Sequence, residues 1–174
     1  MFDLEVRLVE ASDAEFIVKL RCDKDRTQFM KMIDNNIQNQ MEWIKKYKER
    51  EFEGTDYYFI YSLNGADIGV NRISHIDYTS KTCKSSSWIK IPSERSISMQ
   101  MFFIHKYILF EILEMKSFIS DIHMNNTKSL SYYKDFGFPL PVCSNVRGYL
   151  DISVSREYYL SNKNIVLDKY NLFV

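Results

Sequence analysis

The chain is poor in the residues that punctuate or cross-link a fold: among 174 residues there are five glycines, three prolines and three cysteines. So little glycine and proline excludes a collagen-like or low-complexity chain, and no stretch reads as a linker or an internal repeat. Net charge is also missing, because Lys+Arg and Asp+Glu are equal at 23 each. No overall field then favours a nucleic acid or an anionic membrane, and neither is expected as a partner. Cys22, Cys83 and Cys143 are widely spaced and odd in number. They are expected to be small buried residues of a reducing compartment rather than a zinc or redox motif. The histidines at 75, 105 and 123 lack ligand spacing, so no metal is expected. The longest apolar run, MQMFFIHKYILFEIL, is broken by His105, Lys106 and Glu111 and is too short and too charged to span a bilayer. Asp3 and Glu5 open the chain without a long apolar run, which argues against a signal peptide and makes the cytoplasm the expected location.

Aromatic residues are abundant instead, at 15% with 12 Tyr and 12 Phe. Much of that must be core, and tyrosine also suits clefts that are part apolar and part wet. The length fits a single domain over residues 1–174, large enough to bury a full core without staples.

LEVRLVE alternates as a strand. SDAEFIVKLR carries Ser12 and Glu15 at capping-box spacing, with Phe16, Ile17 and Leu20 on one helical face. CDKDRTQFMKMIDNN reads as a loop or broken helix, and QNQMEWIKKYKERE as a second helix with Met41, Ile44 and Tyr47 in register. Asn64-Gly65 between two apolar runs predicts a tight hairpin. KTCKSSSWIKI should pair next and stop at Pro92, which holds Ile91 extended. From about Ser96 to Met115 the chain is apolar nearly all round, as a helix buried on a sheet would be. SFISDIH is a short strand, and strand-like pieces follow at GYLDISV and REYYLS. The alternation of strands and helices makes an α/β sheet with helices on its faces.

Between these lies MNNTKSLSYYKDFGF, residues 124–138. Asn125 and Asn126 are good N-caps, Gly137 is a good C′ residue, and Leu130, Tyr133 and Phe136 share a face. Local physics needs nothing more than a capped amphipathic helix here.

The element order from about Leu4 to Leu160, with that motif next to last, resembles the GNAT superfamily of N-acetyltransferases. The family commonly shows an Asn after the fifth strand, a Ser or Ala followed by Ile or Leu, a Tyr seven residues after the Asn, and Gly-Phe four residues later. Asn126, Ser129-Leu130, Tyr133 and Gly137-Phe138 fill those positions. The resemblance implies a central mixed, mostly antiparallel sheet of about seven strands, flanked by about four helices, with the fourth and fifth strands splayed apart. It also implies acetyl-CoA as co-substrate, with pantetheine lying along the fourth strand near Ile89 and Ile91. The pyrophosphate would meet the loop that leads into the long helix, here Arg95, Ser96, Ile97 and Ser98. Ser96 and Ser98 stand where the family usually has glycines, so this loop loses permissive backbone while keeping small side chains. Asn126 and Ser129 would hold the CoA arm, and Tyr133 would protonate the departing thiolate as general acid. A general base is not evident, and His75 and Glu94 are candidates.

The acceptor side in this superfamily comes from the first two helices, their loop and the third strand. Arg21, Met30, Arg72 and His75 are the expected substrate contacts there. The chain looks like PseH-type enzymes, which acetylate the 4-amino group of a nucleotide-linked (UDP or dTDP) deoxy amino sugar for surface glycans. It is also similar to RimL-type enzymes, which acetylate proteins, and a small-amine acceptor is a further alternative. A non-catalytic binding module of the same fold is the reading from another class. The resemblance leaves the oligomeric state open, a homodimer included.

Overall fold

The computed structural model describes residues 4–172. Six strands form one sheet in the order β1 (Leu4–Leu8), β2 (Asp56–Leu63), β3 (Ala66–Asp77), β4 (Thr82–Lys90), β5 (Ser117–His123) and β6 (Tyr149–Ser155). All neighbours are antiparallel except β4 and β5. Six α-helices complete the order: α1 (Ala14–Arg21), α2 (Lys24–Thr27) and α3 (Ile37–Phe52) between β1 and β2, α4 (Arg95–Tyr107) after β4, α5 (Thr127–Asp135) after β5, and α6 (Arg156–Tyr170) after β6. A π-helical turn at Ile108–Ile112 extends α4.

Strand alternation separates two cores on the two faces. Tyr58 and Ile60 point to the side covered by α1 and α3, with Ile17, Leu20, Ile44 and Tyr47. Phe59 and Tyr61 point to the other side, where Phe102, Phe103, Tyr133, Phe136 and Tyr159 from α4, α5 and α6 pack. The aromatic excess of the sequence is spent mainly on this second face, where Phe136 lies 4.4 Å from Phe138 and 5.8 Å from Tyr159 between ring centres.

The hairpin turn is as predicted. Asn64 and Gly65 both have positive φ, 52° and 76°, the mirror-image turn that matches strand twist. Asn126 caps α5 by accepting the Ser129 amide at 3.1 Å, and Gly137 closes it at φ 74°. Three expectations are corrected. The sheet has six strands rather than about seven, because REYYLS opens α6: Ser155 accepts from the Tyr158 amide as its cap, and Tyr159 and Val166, seven residues apart, are its buried side chains. A six-residue aromatic window is too short to show that period. The capping box forms between Glu10 and Asp13 rather than Ser12 and Glu15, since Asp13 also takes Arg7 at 2.7 Å. Finally, of the cysteines expected to be buried only Cys83 is so: Cys22 is half-buried, and Cys143 is exposed in the segment between α5 and β6.

Two single-residue insertions disturb the β3–β4 pairing. Between Val70↔Ile89 and Arg72↔Ser86, β4 holds one residue more than β3, and Ser87 there has φ 55°. Between Ser74↔Lys84 and Asp77↔Thr82 the extra residue is on β3, where His75 has φ 53°. Bulges of this kind bend a strand and re-aim its side chains.

Candidate active site

β4 and β5 are parallel neighbours over only three pairs, Thr82↔Ser117, Cys83↔Phe118 and Lys84↔Ile119. Beyond them the strands part, helped by the bulge at Ser87, and backbone groups of β4 from Ser85 onward face a gap instead of a neighbour. A cleft of about 290 Å³ fills that gap. Its walls are Ser85–Lys90 of β4, Ser120–His123 of β5, Asn125–Ser129, Tyr132 and Tyr133 of α5, Phe102 and Lys106 of α4, and the Asp25–Met30 stretch around α2, with Asn71 of β3.

Tyr133 reaches this cleft from the buried face of α5 and is only 3% exposed. Burial pushes its phenol up to about 12, against the opposing effect of the Ser120 and Ser85 hydroxyls. The hydroxyl therefore holds its proton at neutral pH and can donate it. Asn126 stands at the start of the same helix, its oxygen used as the cap, and Ser129 lies one turn on; both line the cleft, as do Ile89 and Met30.

At the mouth, Lys90 donates to the Ile91 carbonyl and, at 2.8 Å, to Ser93. Burial lowers its ammonium to about 8, and Lys128, Arg26 and Arg95 push in the same direction. Next to it α4 begins at Glu94 with no side-chain cap. The first-turn amides of Arg95, Ser96 and Ile97 consequently have no partner within the helix, an arrangement suited to an anion. Ser98 turns inward instead, buried, with its hydroxyl donating to Glu94 O at 2.9 Å. Ile91, Arg95, Ser96, Ile97 and Ser98 are not among the residues that line the cleft; they sit at the end of β4 and in the first turn of α4. Trp88 lines the cleft as well, and its buried indole N–H has no partner among the described residues. A free β4 edge, an uncapped helix start and a basic mouth together fit a long acyl donor with a diphosphate.

The other expected substrate contacts lie elsewhere. Arg72 points to the opposite face of β3 from Asn71, where it shares the buried Asp56 carboxylate with Arg50 and lies 5.2 Å from the centre of the Trp43 ring. Arg21 donates to the Lys31 carbonyl at 2.8 Å. His75 is exposed at its bulge, bonded to Ser74, and Glu94 is exposed at the start of α4, so neither base candidate lines the cleft.

Several side chains of the acceptor side are given no role by the sequence. Phe29 stacks on His123 at 4.8 Å, and Tyr149 donates to the Phe29 carbonyl at 3.3 Å, fixing that pair in the wall. His123 Nδ1 accepts the Asn125 amide at 3.2 Å, which places its proton on Nε2. Asp25 and Asp121 are the two carboxylates of the lining, and Asp121 is ion-paired with Lys84 at 2.5 Å. Among the described residues no group of three or more His, Cys, Asp or Glu gathers to hold a metal, and no helix is long and apolar enough to cross a membrane.

No protein curated for its function matches the sequence. Among solved structures, apo FdhC, described as a nucleotide-linked sugar GNAT, is 27% identical with a TM-score of 0.80, covering 94% of this chain and 92% of its own. The spermidine N-acetyltransferase of Vibrio cholerae, in complex with CoA and spermine, is 16% identical with a TM-score of 0.76, covering 91% of this chain and 98% of its own. At that identity the second likeness speaks for the fold alone. The family model for the acetyltransferase (GNAT) domain matches residues 3–139, from the first strand to the end of the Asn126–Phe138 motif, and the chain belongs to that family of acetyltransferases.

Proposed function

We infer that this acetyltransferase moves an acetyl group from acetyl-CoA to the primary amine of a nucleotide-linked deoxy amino sugar, with a UDP or dTDP carrier. The observation that carries the acceptor class is the charge of the cleft. Apart from the buried Lys106, its walls hold three cationic side chains, Arg26, Lys90 and Lys128, against two carboxylates, Asp25 and Asp121. Such a surface suits two diphosphate-bearing substrates and repels a polyamine. The fixed Phe29–His123 pair with Met30 beside it offers an apolar platform for a sugar or base. The likeness to FdhC points the same way.

The chemistry follows from positions. Pantetheine laid in the gap would take hydrogen bonds from the free edge of β4, as an added strand does, with Ile89 beside it and its phosphates toward Lys90 and the start of α4. Asn126, with its side-chain N–H₂ not used by the cap, and Ser129 would hold the CoA arm. The substrate amine attacks the thioester carbonyl, the carbon–sulfur bond breaks, and Tyr133 gives its proton to the leaving sulfur. The amine loses its own proton to solvent.

A thiol-release screen tests this: acetyl-CoA with UDP- and dTDP-linked 4-amino-4,6-dideoxyhexoses, against spermidine, peptides and an aminoglycoside. Turnover with a nucleotide sugar is the expected result. Turnover with spermidine or a peptide and none with the sugars would overturn the acceptor class. Calorimetry with acetyl-CoA separates the binding-module reading: no heat at high cofactor concentration would overturn the enzyme reading.

A further inference from the structure

Lys106 is a lysine where a folded chain has little reason to keep one. It lies in the last turn of α4, just before the π-helical turn, 1% exposed, facing the cleft. Its ammonium sits 4.0 Å from the centre of the Phe118 ring, 4.9 Å from Phe102 and 5.5 Å from Tyr133. Among the described residues it has no carboxylate partner; its one hydrogen bond is to Ser85 Oγ, at 3.0 Å. Burying an unpaired charge is expensive, and an apolar side chain of the same length would fill the space without that cost. Core packing therefore does not account for the residue.

Ser85 gives it a connection. The same hydroxyl lies 3.0 Å from His105 Nε2 and lowers the Tyr133 phenol, whose ring centre is 5.5 Å from the Lys106 ammonium. A serine hydroxyl has one proton to donate and two lone pairs to accept with. With Lys106 and His105 both donating to Ser85, the serine proton is free to point at the phenol oxygen. Lys106, Ser85 and Tyr133 then bring three exchangeable protons together in the wall of the gap between β4 and β5.

We propose that Lys106, acting through the Ser85 hydroxyl, is the proton store that resets Tyr133 after each acyl transfer. The proposal rests on the general-acid reading of Tyr133. When the carbon–sulfur bond breaks, the phenol proton goes to the sulfur and leaves a phenolate. The phenolate takes the Ser85 proton, and Ser85 takes one from the Lys106 ammonium, leaving a neutral amine and a neutral phenol. Lys106 regains its proton from cleft water as products leave, which matches the proton the substrate amine released. The titratable groups that face Lys106 are the Cys83 thiol on β4, the His105 imidazole on its own helix and the Tyr133 phenol on α5; Asp121 on β5 acts on the phenol. Burial lowers Lys106 to about 7, close to where a store that gives up and recovers protons in water should be, with only the Cys83 thiol opposing.

Two measurements test it. In protein with CoA bound and tyrosines labelled at the ring carbon bearing oxygen, Tyr133→Phe identifies the Tyr133 resonance. That resonance should show a step at the pH where lysine-carbon signals place the loss of the Lys106 proton, and Ser85→Ala should remove the step. A resonance that stays flat until the phenol itself ionises overturns the relay, whatever the acceptor is. In turnover with an amino sugar from the screen, Lys106→Met should retain acetyl-CoA binding, lose kcat by about 100-fold and lose the alkaline fall in rate that deprotonation of Lys106 causes. Wild-type kcat and an unchanged pH profile in Lys106→Met would equally overturn it. If no sugar is turned over by the wild type, the acceptor reading fails and the resonance step alone decides the relay. Should Lys106→Met not fold, Ser85→Ala gives the same comparison.

Discussion

The guanidinium carbon of Arg95 lies 3.8 Å from the centre of the Tyr132 ring, and the same guanidinium is bonded to Asp135 at the far end of α5. Asp135 also accepts from Tyr170 at 2.7 Å and Lys169 at 3.3 Å, both at the end of α6. One carboxylate thus ties the start of α4 to the ends of α5 and α6. Tyr132 packs on Trp88 at 4.4 Å, so the tie reaches the cleft wall.

Arg95→Ala is expected to cost about 1–3 kcal/mol of stability, by removing a charge-assisted hydrogen bond and a ring contact. Because it loosens the wall rather than the chemistry, it should raise KM for acetyl-CoA more than it lowers kcat. Burial pushes the Asp135 carboxyl up, but its bonds to Arg95, Tyr170 and Lys169 outweigh this and hold it below the usual range. Its contribution is then present above the ordinary carboxylate pKa of about 4 and is lost as pH falls through the lower folded value. Urea unfolding from pH 7 to pH 2 should show that loss in the wild type and a flatter profile in Asp135→Asn.

Tyr133→Phe deletes one hydroxyl from a ring that keeps its packing against Phe102 and Phe138. Acetyl-CoA affinity by calorimetry should be preserved while kcat falls by roughly 10²–10⁴, the usual worth of a placed general acid. Full activity in this variant would remove the phenol from the mechanism.

Gly69 has no room for a side chain. A Cβ there would meet Lys90 Cβ at 2.6 Å, Met101 Cε at 2.8 Å and the Ile89 carbonyl at 2.9 Å. Met101 can turn aside, but the β4 backbone cannot without shifting the cleft. Gly69→Ala should lower stability by about 1–3 kcal/mol and weaken acetyl-CoA binding together, seen as parallel shifts in a denaturation midpoint and in Kd.

Lys106 also sets a pH dependence of stability that needs no substrate. Burial lowers it to about 7, against about 10.4 in the unfolded chain, so between those values the unfolded state binds more protons. Stability from this group therefore rises with pH across that window, by at most about 1.4 kcal/mol per pH unit. Lys106→Met should abolish the slope and leave the protein as stable as the wild type or more so at pH 7, measured by urea midpoints.

Much of this molecule could be read in advance because its signals are local. Asn64-Gly65 and Asn126 to Gly137 each announce their own backbone conformation, and the motif on α5 carries the family with it. Arg72 and Lys106 show where such reading stops. Arg72 sits on the strand expected to meet substrate, yet strand alternation turns it to Asp56 on the other face, and only its register opposite Tyr58 of β2 shows that. Lys106 looked like an interruption of an apolar run; its meaning depends on Ser85 and Tyr133, 21 and 27 residues away in sequence. Phe29 and His123 likewise meet only through tertiary structure.

Within the sheet, only three residue pairs join the four strands on one side to the two on the other among the described residues, beside the Lys84–Asp121 ion pair. Mechanically this is a seam. Without a guest in it, β5 and β6 with α5 should breathe as a block against the rest, and amides flanking the gap should exchange their hydrogens fastest. A donor molecule bound along β4 completes the missing rungs, so its arrival should slow that exchange and make the two blocks melt as one.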